Sequence, residues 1–201
     1  MQYSNNQVNI ATKELLVDTI KEAIPFIIVG SGVTIFKLVD QFTFIKIMSA
    51  TTEYSKEQLL DLFSIFSANP DKLTMVVIAL ATSIAATGLP LITEAVTLKD
   101  HRGLAKLTSG NLQLFSFFMF PATFGVMLLS YPLNTLFYTP DRLGSHVLIQ
   151  ASFAGLFLGL YMLVSNMLQG MFENAAAIRY LAIGFVVKLV LQYPMIRLFE
   201  V

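Results

Sequence analysis

The sequence predicts an all-α fold, a polytopic bundle of about five transmembrane helices. Hydrophobic residues make up 55% of the 201 positions and charged residues only 13%, whereas about a quarter of the residues in an ordinary soluble domain are charged. Apolar stretches of roughly 20 residues recur along the chain, and a helix of that length crosses about 30 Å of hydrocarbon. Backbone groups find no water in lipid, so each span is expected to be a helix rather than a lone strand.

The chain is predicted to begin with a lead-in segment and to continue as one transmembrane bundle. Residues 1–22 are expected to lie at the cytoplasmic interface, because "ATKELLVDTIKE" places apolar residues at helical spacing between charges. The bundle is predicted over residues 23–199, with Pro25 in the first turn of the first span, where proline is tolerated. The predicted spans are residues 23–48, 72–98, 107–130, 146–170 and 178–199.

Three connections between the spans carry further information. Residues 49–71 are polar and contain "SKEQLLDLFSIF", a predicted short surface helix, before "ANPD" makes a turn that starts the second span. Residues 131–145 are predicted to form a loop whose aromatic residues suit the membrane interface. The connection "KDHRGLAK" is dense in lysine and arginine, which favours a cytoplasmic position for it and for the N-terminus.

Polar and small residues share one face of several predicted spans when residues are placed at 100° per position. In the first span this face holds Gly30, Thr34, Lys37 and Gln41, with Asp40 at its edge. Small residues on such faces are more often sites of close helix packing than of ligand binding. Packing or hinge roles are therefore predicted for Gly30, Gly88, Pro90, Pro121, Gly155 and Gly159.

Charged residues inside the spans need a stronger explanation than packing. A lysine or aspartate at the centre of a span costs about 2.5–3.5 kcal/mol on insertion scales, against a gain of about 0.3–0.6 kcal/mol for each Leu, Ile, Val or Phe. Lys37 and Asp40 are able to neutralise each other, since residues three apart are neighbours on a helix. Lys188, however, has no acid within reach on its own helix, and Asp40 pairs with one lysine at a time.

The sequence leaves two alternatives open for these charges. One is a hydrated cationic cavity in which at least one lysine is unmatched, and the other is a structural Lys37–Asp40 pair with a Lys188 that snorkels to the interface. Asp40 is a candidate site for a coupling ion and equally a candidate structural partner for a lysine. The wall of the predicted cavity consists of Lys37, Lys188, Gln41, Thr34, Asn166 and Gln192.

Other function classes have little support in the residues. The net charge is zero, so no basic excess points to a nucleic-acid partner, and the absence of cysteine excludes disulfides and thiolate metal sites. His101 and His146 lack a second histidine at metal-ligand spacing, so no metal site is expected. No glycine-rich phosphate loop and no catalytic constellation of carboxylates or histidines is present, so neither an enzyme nor a cofactor is predicted.

Three stretches, in order, resemble one transporter family. "AIPFIIVGSGVTIFKLVDQFTF" is similar to the opening helix of the second lobe of that family, and "IALATSIAATGLPLITEA" to the helix that follows. "QGMFENAAAIRYLAIGFVVKLVLQYPMI" resembles a later connection and a lysine-bearing span. The family is the polysaccharide and lipid-linked oligosaccharide flippases, in the MurJ- and SpoVB-like branch of the multidrug/oligosaccharidyl-lipid/polysaccharide exporter superfamily.

The resemblance implies a function, partners and a missing part. It implies a multi-pass protein of the bacterial plasma membrane that moves an undecaprenyl-pyrophosphate-linked sugar, most directly a peptidoglycan precursor, by alternating access. The partners it implies are the lipid-linked oligosaccharide, the bilayer and an N-terminal lobe, because the chain resembles only the first five helices of a C-terminal lobe and an alternating-access cavity needs both lobes. The alternatives are a multidrug or cation antiporter of the same superfamily and a non-transporting membrane scaffold.

Overall fold

The computed structural model describes residues 12–51 and 53–199, and in these residues the chain is helical apart from short connections and contains no strand. Seven α-helices and one π-helical turn follow one another: α1 Thr12–Thr51, α2 Lys56–Phe63, the π turn Ser64–Ala68, α3 Asn69–Thr97, α4 His101–Leu128, α5 Ser130–Phe137, α6 Arg142–Gly170 and α7 Asn174–Phe199. Five helical segments in this part of the chain are long and apolar enough to cross a membrane. The predicted all-α polytopic fold is confirmed.

The first helix is much longer than the predicted first span. α1 holds 40 residues, or about 60 Å at 1.5 Å per residue, which is about twice the thickness of the hydrocarbon. The described part of the lead-in, from residue 12 onward, continues into the span as one helix, so Pro25 lies in the helix interior and not in a first turn. Residues 1–11 of the lead-in lie outside the described residues, and its interfacial position stays a prediction.

The second helix folds back on the end of the first. A capping box starts α2: the Ser55 hydroxyl accepts the N–H of Gln58, and the Gln58 side chain accepts the N–H of Ser55. Leu59, only 1% exposed, packs with Phe44 and Met48 of α1. Lys56, Glu57 and Gln58 on the other face are exposed, so the surface position of this helix stays a prediction. The prediction that the helix is short is wrong, because it continues into α3.

The predicted turn at "ANPD" is also wrong, because the helix continues from α2 into α3 through the π turn. The N–H of Asn69 donates to the carbonyl of Ser64, five residues back rather than four. In an α-helix a proline ring clashes with the carbonyl four residues before it, and the wider π turn gives Pro70 room to avoid that clash. Residues Lys56–Thr97 therefore form one helical segment of 42 residues.

The connection predicted as a loop over residues 131–145 contains the short helix α5. Asn134, at the buried side of α5, donates its side-chain amide to the carbonyl of Thr139 at 2.9 Å and to that of Asp141 at 3.3 Å. The Asp141 carboxylate then accepts two backbone N–H groups in the first turn of α6, including that of Gly144. Asn134 and Asp141 thus hold α5 against the start of α6.

Two tight turns, from α3 to α4 and from α6 to α7, share one geometry. Lys99 and Phe172 adopt left-handed backbone conformations, with φ of 56° and 62°. In each turn the next residue donates its N–H to the carbonyl five residues back, at 2.9 Å and 2.8 Å. This is the Schellman arrangement that usually places glycine at the left-handed position.

Helices α3, α4 and α6 pack together and form the core. A Cβ atom on Gly159 would lie 2.9 Å from Met119 Cε and 3.1 Å from Ala81 Cβ, so the three helices meet at this glycine. The buried core residues are Ala81, Ala85, Ile92, Phe115, Met119, Leu156, Leu163 and Met167. Helices α1 and α7 lie beside this core and pack mainly on each other.

Candidate functional site

Helices α1 and α7 pack side by side in parallel, with contacts arranged in layers one turn apart. In the first layer, Leu181 lies against Gly32, where a Cβ atom would come within 2.7 Å of Leu181 Cδ2. In the second, the rings of Phe36 and Phe185 stack with centroids 5.0 Å apart. These two layers fix the height of α7 against α1 and so position the charged residues of the third layer.

The third layer joins Asp40 of α1 to two donors of α7. Its Oδ2 accepts from Lys188 Nζ at 2.7 Å, and its Oδ1 accepts from Gln192 Nε2 at 3.0 Å. The same Nζ donates to the carbonyl of Phe36 at 3.0 Å and lies 5.1 Å from the centre of the Phe36 ring. Lys188 is therefore paired with Asp40 between the two helices, and the alternative of a Lys37–Asp40 pair with a snorkelling Lys188 does not describe this conformation.

The second mid-span lysine has a carboxylate partner on another segment. Lys37 Nζ lies 2.8 Å from Asp71 Oδ2, in the first turn of α3. The Lys37–Asp40 pair within α1 is thus replaced by two pairs between helices. The expectation that one lysine is left without an acid is wrong, because Asp71 supplies the second negative charge.

Asp71 is the site residue that sequence reasoning missed, because it was assigned to a turn. Since α2, the π turn and the start of α3 form one helix that runs antiparallel to α1, contacts follow a regular register. The pairs Phe44–Phe63 and Lys37–Asp71 both belong to it, and in each the two residue numbers add to nearly the same value. Treating residues 56–71 as a helix folded back on α1 would have placed Asp71 opposite Lys37.

The other predicted cavity residues are less closely connected with the charges. Thr34 is exposed one turn before Lys37, and Gln41 is half-buried. Asn166 donates its side-chain amide to the Met162 carbonyl of its own helix at 2.9 Å. The structure thus joins Lys188, Gln192 and Asp40 in one network, while the cavity roles of Thr34, Gln41 and Asn166 stay predictions.

The residues predicted to pack or hinge occupy different surroundings. Gly155 lies against α3 at ordinary van der Waals distance, and Gly88 faces an asparagine amide of α4 at close range. Gly30 has no atom within 4 Å of the position a Cβ would take, so it makes no close packing contact in the described part of the chain. Pro90 and Pro121 lie exposed inside α3 and α4, and their hinge roles stay predictions.

The site offers ion pairs and hydrogen-bond donors rather than a set of metal ligands. No group of three His, Cys, Asp or Glu side chains that could hold a metal ion occurs among the described residues. Two lysines and one glutamine amide face two carboxylates within the apolar part of the chain. Such an arrangement is suited to binding an anion once a carboxylate is displaced.

Comparison with known proteins identifies a bacterial relative of the chain. It is similar to the lipid II flippase MurJ of Bacillus subtilis (strain 168), with 30% identity over 196 residues that make up 96% of this chain. The chain is a relative of the MurJ-like flippases. The match spans 36% of the length of that relative, so the chain corresponds to a part of it. No family model matches the chain, and no solved structure gives a significant match.

The similarity confirms the resemblance seen in the three sequence stretches. Together with the five helices able to cross a membrane, it identifies the chain as a multi-pass bacterial membrane protein related to transporters. The relative is named for moving lipid II.

Proposed function

We propose that the chain forms part of a flippase that moves a pyrophosphate-linked lipid oligosaccharide to the outer leaflet by alternating access. Lipid II, the peptidoglycan precursor, is the first candidate substrate. The observation that carries this proposal is the similarity to a lipid II flippase over 96% of the chain.

The charged layer between α1 and α7 supports the proposal on physical grounds. Lys37 and Lys188 keep 32% and 27% of their side chains exposed, although both lie on helices able to span a membrane. Ionisable residues at such positions are costly and usually serve transport or binding. A pyrophosphate headgroup is attracted by these ammonium groups, while its lipid tail remains in the bilayer between helices.

The rest of the cavity is proposed to come from elsewhere. Because the match spans 36% of the relative, we assign the opposite wall to an N-terminal lobe or its equivalent. Thr34, Gln41, Asn166 and Gln192 would supply neutral polar groups on the wall formed by this chain. The hydrocarbon tail of the substrate needs no polar partner.

A coupling ion at Asp40 is proposed only for another step of the transport cycle. Both carboxylate oxygens of Asp40 are occupied here, one by Lys188 Nζ and one by Gln192 Nε2. An inorganic cation would have to displace an ammonium group at 2.7 Å. These contacts favour a structural role for Asp40 in this conformation.

The proposal is tested by complementation in a bacterium depleted of lipid II flippase activity. The chain is produced alone and together with the N-terminal part of the Bacillus subtilis relative, and lipid II at the outer leaflet is labelled. Rescue by the pair, and its loss with Lys188→Met, is the expected result. Lys46→Met is the matched control, because Lys46 is exposed near the end of α1.

The alternative functions predict other results in the same experiment. A scaffold would reach the membrane and bind the N-terminal lobe without restoring lipid II export. An antiporter would expel a fluorescent organic cation and leave lipid II inside. Either result would contradict the flippase proposal.

A further inference from the structure

We propose that Lys188 and Gln192 form an anion cradle that Asp40 fills in this conformation, and that a phosphate or pyrophosphate group replaces Asp40 there while Asp40 moves to Lys37. The anion cradle is defined as the Lys188 ammonium and the Gln192 side-chain amide. This inference deepens the proposed function and rests on it for the source of the anion. The exchange of ion-pair partners follows from the geometry of this chain.

The cradle holds a carboxylate in the way that it would hold a phosphate. Each oxygen of Asp40 is bound by one donor, Lys188 Nζ at 2.7 Å and Gln192 Nε2 at 3.0 Å. A phosphate group presents a similar edge of two oxygens and carries more charge, so it can make the same pair of charge-assisted hydrogen bonds. Asp40 therefore acts as a built-in substitute for the ligand.

The cradle is accessible and its donor is fixed in place. Asp40 and Lys188 keep 37% and 27% of their side chains exposed, so an anion can approach without unfolding the helix pair. When Asp40 leaves, the Phe36 carbonyl at 3.0 Å and the Phe36 ring at 5.1 Å still hold the ammonium of Lys188. The donor thus stays oriented for the incoming anion.

Asp40 has a second partner within reach on its own helix. Lys37 lies three residues earlier, a spacing at which side chains meet on a helix surface. Lys37 is bound to Asp71 in this conformation, at 2.8 Å. When Lys37 leaves, water can solvate the Asp71 carboxylate, because 36% of its side chain is exposed.

The exchange leaves Asp71 and Lys188 without their partners of opposite charge. After it, Lys37 and Asp40 neutralise each other on α1, and the Asp71 carboxylate, with 36% of its side chain exposed, is left to water. Lys188, the less exposed of the two at 27%, has lost its negatively charged partner, which is costly in a membrane span. An anionic ligand supplies that charge, so ligand binding and the release of α1 from α3 are coupled.

Binding to the cradle is tested with the full chain in lipid nanodiscs. Inorganic pyrophosphate and a polyprenyl pyrophosphate are titrated separately, with the corresponding polyprenol as the ligand lacking phosphate. Asp40→Asn is expected to raise affinity about tenfold, the scale of one charge-assisted hydrogen bond, and Lys188→Met to abolish binding. Unchanged affinity in both variants overturns the cradle.

The two pyrophosphate probes distinguish the source of the anion. Tighter binding of the polyprenyl pyrophosphate than of inorganic pyrophosphate supports a lipid headgroup as the ligand. Equal binding of both supports a site for free phosphate groups, and it leaves the cradle in place while contradicting the proposed substrate. If Lys188→Met fails to reach the membrane, Gln192→Leu serves instead and is expected to lower affinity about threefold.

The exchange is tested by combining variants. Lys37→Met removes the second partner of Asp40 and is expected to lower affinity about threefold in the natural chain but to have no effect in Asp40→Asn. Asp71→Asn is expected to raise affinity, because it frees Lys37. Lys46→Met, which removes one charge from the same helix, is the matched control. An equal effect of Lys37→Met in both backgrounds overturns the exchange, whatever the outcome of the flippase experiment.

Discussion

The close crossing of α3, α4 and α6 at Gly159 predicts that a larger side chain at this position lowers the free energy of unfolding. In Gly159→Ala the new methyl group would lie 3.1 Å from Ala81 Cβ, 2.9 Å from Met119 Cε and 3.4 Å from Phe115 Cε2. The methionine end can move aside, but the Cβ of Ala81 is fixed to the backbone of α3. The helices must therefore separate by a few tenths of an ångström.

The expected cost follows from the crowding at this position. Overpacking a well-packed core costs about 1–3 kcal/mol. Replacing glycine by alanine inside a helix normally stabilises the helix by about 0.5–1 kcal/mol relative to the unfolded chain. In a detergent-denatured membrane protein the helices persist, so alanine stabilises both states and little of this gain appears in the free energy of unfolding. We expect Gly159→Ala to lower the free energy of unfolding by about 1–2 kcal/mol, and Gly159→Leu to lower it further.

The assay is reversible unfolding in mixed micelles, followed by circular dichroism and by a spin-label distance between α3 and α6. Gly184→Ala is the matched control, because no atom lies within 4 Å of the position a Cβ would take. Its effect should stay within about 0.5 kcal/mol. Equal stability of Gly159→Ala and Gly184→Ala would refute the three-helix crossing.

Three further predictions concern the two tight turns, the ion pair between Lys37 and Asp71, and the connection between α5 and α6. Lys99→Gly and Phe172→Gly should each raise the free energy of unfolding by about 0.5–1 kcal/mol, because both residues have left-handed backbones; a decrease on thermal unfolding would contradict the Schellman geometry. Lys37→Asp and Asp71→Lys should each lower stability by about 1–2 kcal/mol, and the double variant should recover most of it; additive losses would show that the two side chains do not interact. Burial raises the pKa of the Tyr138 phenol above its usual 10.0. The protonated phenol therefore contributes fully to the free energy of unfolding below pH 10, and this contribution is lost as the pH rises through the raised pKa of the folded protein. Tyr138→Phe should flatten the decline in unfolding free energy above about pH 10.

Much of the fold could be predicted from the sequence, because lipid imposes a strong constraint. A chain with 13% charged residues and repeated apolar stretches can satisfy its backbone in a membrane only as helices. The α4, α6 and α7 helices accordingly contain the predicted spans nearly or fully within their bounds. The wrong predictions of helix boundaries came from local sequence signals, which the packing of the helices overrides. Pro25 and Pro70 both look like helix starts, but α1 continues through the first and a π turn accommodates the second.

The sequence by itself determined that the mid-span charges matter and which residues carry them. Lys37, Asp40 and Lys188 could be named because an ionisable residue in an apolar helix is costly wherever the helix packs. Only the tertiary structure decided their partners, joining Lys37 to Asp71 and Asp40 to Lys188. Helical spacing fixes the neighbours within one helix, whereas partners on other helices depend on how α1 folds back on α2 and how α7 packs beside it. Those positions are set by contacts such as that of Leu59 with Phe44 and Met48, which lie two or more helical turns from Lys37 and Asp71.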